Sequence, residues 1–145
     1  MIVEIMWDKI VKFLALLGGA CVGALGGWDG VLQVLLVLMA VDYATGWAVA
    51  LRGRSGKSDT GGLDSKAGWV GLLKKGVMLL VVLVAAQLDV AMGTAVFRDA
   101  ACFFYMANEG LSVLENTALL GVPYPQRLKD LLTQVKSQAD KDDEQ

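Results

Sequence analysis

The chain has 145 residues, 55% of them hydrophobic and 19% charged, with a mean hydropathy of +0.52 and a formal net charge of −2. That is too apolar for an ordinary soluble domain and too short for several domains, and an isoelectric point near 5.0 without a basic patch among aromatics excludes a nucleic-acid partner. The chain contains no histidine, which removes imidazole ligands, Ser-His-Asp triads and Cys-His dyads from consideration.

Four apolar stretches, at residues 10–27, 31–51, 69–90 and 100–120, each approach the ~20 residues that a helix needs to cross ~30 Å of hydrocarbon. The expected fold class is all-α: an integral membrane helical bundle of about four transmembrane helices in residues 1–121. A short amphipathic helix and a charged disordered tail then follow in 122–145.

The first twelve residues carry both signs of charge, and no small-residue cleavage site with polar context follows the apolar run, so the first span is expected to remain in the mature protein. Met6 reads as an ordinary methionine rather than a second start. Within the span Ala15, Gly19, Gly23 and Gly27 recur every four residues, and Ala40, Ala44 and Ala48 repeat the pattern in the second. Such seams let two backbones approach closely in lipid. They serve either self-association in the membrane or packing within one chain, and both readings stand. Only Trp28-Asp29-Gly30 separates the first two stretches, which predicts a tight antiparallel hairpin.

Asp42 falls in the middle of the second span, where a carboxylate costs ~2.5–3.5 kcal/mol unless it is paired, hydrated or protonated. It needs an intrachain partner such as Tyr105 or Asn108, or a water-filled lumen. Residues 52–68 read as a polar loop: Gly53, Gly56, Gly61, Gly62 and Lys57 lack the Walker spacing. Asp89, near the outer end of the third span, is expected simply to reach the interface.

The fourth stretch is the least ordinary. At roughly 100° per residue, Tyr105, Asn108, Glu109, Ser112, Glu115 and Asn116 share one side of a helix. Glu109 and Glu115 together cost ~4–6 kcal/mol, while roughly eight large hydrophobes return only ~0.3–0.6 kcal/mol each. Insertion is marginal unless partners shield the stripe; the alternative is an amphipathic helix resting at the membrane surface. Gly121-Val122-Pro123-Tyr124-Pro125 stops this helix, and Leu128, Leu131, Leu132 and Val135 mark one face of the next. Residues 137–145 are charged and read as disordered. Cys21 and Cys102, alone in apolar runs, read as small hydrophobes.

Lysine and arginine set the orientation. With the 52–68 loop and both termini in the cytoplasm, all of the 13 positive residues except Arg98 lie inside. Trp7, Trp28 and Trp69 fall at span ends, where indoles settle among headgroups. Glu109 and Glu115 invite an acid–base reading, but no nucleophile, metal cluster or pocket accompanies them, so no enzyme and no cofactor or metal is expected.

The chain resembles the phage-lysis and toxin-secretion holin family of Gram-positive phages and clostridial toxin loci. The resemblance lies in Asp42-Tyr43-x-Thr45-Gly46, in Leu63-x-Ser65-Lys66-x-Gly68 with Gly71-Leu72-x-Lys74-Lys75, and in Asn108-Glu109-x-x-Ser112-x-x-Glu115-Asn116 with Gly121-Val122-Pro123-x-Pro125-x-x-Leu128. It covers roughly residues 42–132 and leaves the glycine seam outside. It implies a small protein that accumulates in the host's inner, cytoplasmic membrane, assembles there with itself late in infection and opens holes. Through them an endolysin, served indirectly, reaches the peptidoglycan. The residues marked for a polar pore or oligomer face are Asn108, Glu109, Ser112, Glu115, Asn116 and Asp42, with Gly19, Gly23, Gly27, Ala40, Ala44 and Ala48 for helix packing. Two other roles suit the same scaffold: an antiholin or assembly regulator that acts on a holin partner, and a channel for toxin export.

Overall fold

The computed structural model describes residues 1–56 and 61–142; Lys57 of the expected polar loop and the last three residues of the tail lie outside the described residues. Among those described, the chain forms five helices and no strand: α1 (Ile2–Ala24), α2 (Gly30–Leu51), α3 (Ser65–Met92), α4 (Val96–Leu119) and α5 (Gln126–Asp142). Two of them, α2 and α3, are long and apolar enough to cross a membrane.

Local chemistry fixes most helix ends. Asp29 caps α2 by accepting the Leu32 N–H at 2.9 Å, and Asp64 caps α3 through Lys66 N–H at 2.9 Å. α3 therefore starts four residues before the apolar run that marks it in the sequence. It ends at Gly93, whose φ of +69° lets the chain turn left-handed where a Cβ would be strained. The N-terminus of α4 has no cap of its own. Asp89 of α3 supplies one from outside, accepting N–H groups of Val96 at 2.9 Å, Phe97 at 3.1 Å and Arg98 at 2.8 Å, and the Thr94 hydroxyl at 2.6 Å. Asp89 is thus buried as a cap, with four donors on one carboxylate.

The expected hairpin of the first two stretches does not form. α1 stops at Ala24, Gly26 and Gly27 turn with φ of +92° and +100°, and α1 touches α3 rather than lying along α2. The reason is Arg98. Its guanidinium fills the turn, donating to Leu25 O at 2.6 Å and Gly27 O at 3.4 Å and forming a two-pronged pair with Asp29 at 2.7 and 3.0 Å. A Cβ on Gly26 would lie 2.5 Å from Arg98 Nε, so that position admits no side chain. Gly27 accordingly belongs to the turn and not to a helical seam.

α4 lies in the groove between α2 and α3 and makes the main contacts with both. Towards the Arg98 end the three helices share an apolar core of Leu35, Met39, Val82 and Cys102. At the opposite end Arg52 and Arg54 donate to the last carbonyls of α4, Leu120 and Leu119, at 3.0 Å each. α5 folds back along α4, with Leu132 seated over Gly110. It continues to Asp142, well into the segment that the sequence marks as disordered. After Gln126 it contains neither Gly nor Pro, and Gln, Lys and Ala favour the helix. α1 has no buried residue.

The Arg98 hydrogen bond, followed by that from Leu32 N–H, lowers the Asp29 carboxyl from 3.8 to about 2 against the opposing effect of burial. Its contribution to stability is complete above 3.8 and is lost as pH falls through about 2. Carboxyl titration followed by NMR is expected to give that depressed value in the wild type and to return Asp29 towards 3.8 in Arg98→Met; an unmoved titration would dissociate the turn from Arg98.

Candidate functional site

Midway between the two ends the bundle changes character. Asp42 of α2, Lys75 of α3 and Glu109 of α4 point into the same space, where Asp42 is 7% and Glu109 2% exposed. The Lys75 ammonium donates to Asp42 Oδ2 at 2.8 Å and also to Glu109 Oε2. Asn116, about two helical turns beyond Glu109, donates from Nδ2 to Asp42 Oδ1 at 3.1 Å, Asp42 O at 3.3 Å and Thr45 Oγ1 at 3.0 Å. One ammonium and one amide therefore bind the three helices midway along the bundle. A buried charge of this kind persists only when paired and hydrogen-bonded.

From this cluster a cleft of about 200 Å³ opens towards the α2–α3 loop. Asn108 and Ser112 line one wall, Tyr43 and Trp47 another. The two rings meet edge to face, 6.2 Å apart at 63°. Gly68 and Gly71 of α3 face them, with 3.6 Å or more between a Cβ position and the nearest ring atom. Lys74, Asp64 and Ser55 belong to the same lining, so polar groups run from the buried ions to the end where Arg52 and Arg54 lie. Among the described residues no group of three or more Cys, Asp or Glu is placed to hold a metal ion.

The structure brings together most of the polar residues marked in the sequence. Asp42, Glu109 and Asn116 bond into one network, and Asn108 and Ser112 stand beside it. Glu115 does not join: it is exposed on the edge of the stripe. Asp42 bonds to Lys75 and Asn116, with Asn108 beside it, and Tyr105 packs on the apolar core. Lys75 is the residue that sequence reasoning missed. Read in the sequence only as one of the positive charges that set the orientation, it lies in the third turn of α3 and reaches both α2 and α4. Arg98 is likewise not a loose outer charge but the clasp of the α1–α2 turn. The marked small residues are not used inside the chain: Gly19, Gly23, Ala40 and Ala44 are exposed, Ala48 half-buried, and a Cβ on Gly19 or Gly23 would meet nothing within 4 Å.

Comparison with known proteins converges on one family. The sequence pattern of the bacteriophage holin family matches residues 19–137. An uncharacterized 14.9 kDa protein from the nagH 3′ region of Clostridium perfringens is 44% identical, covering 77% of this chain and 81% of that protein. An uncharacterized protein of Listeria monocytogenes is 36% identical over 94% of both chains. A probable holin of Bacillus phage phi105 is 36% identical, covering 75% of this chain and 76% of the phage protein. No solved structure matches.

Lys75→Met keeps the length of the side chain and takes from Asp42 and Glu109 the ammonium they share. Its expected cost is about 3–5 kcal/mol, that of breaking a buried pair by removing one member. Thermal unfolding in detergent should show a lower midpoint for Lys75→Met and recovery of most of the loss when Asp42→Asn and Glu109→Gln are added. An unchanged midpoint in Lys75→Met would remove the ammonium from the packing argument.

Proposed function

The chain belongs to the bacteriophage holin family, whose members permeabilise membranes and are not enzymes, and from that membership we propose that it assembles in the host cytoplasmic membrane and forms holes that release endolysin and trigger lysis. The observation that carries this reading is the Asp42–Lys75–Glu109 cluster, held by three helices of which two are apolar enough to cross a membrane. Polar groups at that depth are costly in lipid and serve a protein that exchanges lipid for protein or water.

We further propose four crossings with both termini on the cytoplasmic side. The separation of charge supports it. Arg52 and Arg54 meet the C-terminal end of α4 at one pole, while Asp29, Asp89 and Asp99 gather round Arg98 at the other. In the assembled hole, the face of Asn108, Glu109, Ser112, Asn116 and Asp42 turns towards water, with Glu115 at its margin. The exposed run through Gly19 and Gly23 packs against a second copy.

Inducible expression without other phage genes is expected to collapse the membrane potential and viability, and a co-expressed cytoplasmic endolysin to add lysis. A chain that leaves the potential intact but delays lysis by a separate holin is an antiholin. In the same assay Glu109→Leu should accumulate in membranes as the wild type does yet fail to release endolysin, with Glu109→Gln intermediate. Normal timing and release in Glu109→Leu would take this carboxylate out of the hole.

Gly23→Leu keeps the helix apolar but prevents close backbone approach. Crosslinking of membranes should show monomer in place of the wild-type ladder. Identical ladders and identical lysis times would take the seam out of the assembly.

A further inference from the structure

α5 is a polar helix in an awkward place. Leu132 sits over Gly110, with its Cδ1 3.1 Å from where a Cβ would stand. Gly110 lies roughly 14 Å along α4 from its end at Leu119, at 1.5 Å per residue, which is about half the thickness of the hydrocarbon core. If α4 crosses the bilayer with α5 docked, Arg127, Lys129 and Asp130 enter the membrane ahead of Leu132. The remainder of α5 then runs on towards the far side. Docking also leaves the apolar face of α5 poorly used: Leu128 and Leu131 stay 44% and 53% exposed. A helix with a charged face and an uncovered leucine face is at home in the plane of a membrane surface.

We infer that α5 is a removable strap on α4, docked before α4 crosses the bilayer and lifted onto the inner membrane surface when it does. The inference rests on the proposed crossing by α4. Gly110 is the seat of the strap, because it alone lets Leu132 approach the α4 backbone. The docked form keeps the second buried face of α4, around Gly110 and Leu114, out of contact with lipid or with another chain.

Trypsin cleavage at Arg127 and Lys129 reads the state of the strap. Full-length protein is held lipid-free in an amphipathic polymer, or placed in vesicles of phosphatidylglycerol and phosphatidylethanolamine, and the rate constant of the accessible fraction is compared with that of Leu132→Ala. Without lipid, the variant should be cleaved about tenfold faster, as expected when one contact holds a local opening closed. In vesicles the two should be cleaved at the same rate. A difference that persists in vesicles means that α5 stays docked in the membrane, and no difference without lipid means that it is never held; either result overturns the inference. Gly110→Leu, which fills the seat and makes α4 more apolar, should behave as Leu132→Ala does. Release of a trapped dye, measured on the same vesicles, separates the two proposals: α5 freed while the dye is retained sinks the hole and leaves the strap.

Discussion

An ionised carboxylate has no stable place in a low-dielectric interior unless hydrogen-bond donors or a positive group share it, and midway along this bundle the buried carboxylates of Asp42 and Glu109 share the ammonium of Lys75. Lys75 can satisfy Asp42 and Glu109 together only if α2, α3 and α4 converge on it. The groove position of α4 follows from that convergence. So does its composition: a helix too polar to cross alone becomes tolerable when Glu109 and Asn116 face partners rather than lipid. The apolar core of Leu35, Met39, Val82 and Cys102 then fills the space towards the Arg98 end, and the cleft occupies the space towards the loop.

The two ends of α4 are held by opposite means that suit the helix dipole. At its start, backbone N–H groups meet the Asp89 carboxylate; at its finish, carbonyls meet Arg52 and Arg54. Each clamp comes from another helix or loop, so α4 is fixed in register by its neighbours rather than by its own caps. Arg98 extends the first clamp to the α1–α2 turn, where it takes the place of direct contact between α1 and α2.

How much of this was legible in the sequence depended on whether a pattern was local. Periodicity placed the stripe of α4, and with it Glu109 and Asn116, because residues three to seven apart share a face whatever surrounds them. It could not supply Lys75, which stands on another helix more than thirty positions from both Asp42 and Glu109. The four-residue spacing through Gly27 read as a seam because spacing alone does not register positive φ. The hairpin failed for a similar reason: Arg98 is about seventy positions from the carbonyls it occupies, and no local rule connects them. The length of α5 is not legible from charge and the lack of large hydrophobes, which mark residues 137–145 as disordered although no Gly or Pro interrupts the helix before Asp142.

α1 stands apart from this system of constraints, since none of its residues is buried and only its end touches α3. Changes made in a part without shared contacts add to changes elsewhere instead of coupling to them. The first eighteen residues also lie outside the family match, which begins at residue 19. α1 is therefore the described segment in which a substitution costs the charged core of α2, α3 and α4 least, so that a defect caused there reports on contacts made outside the chain.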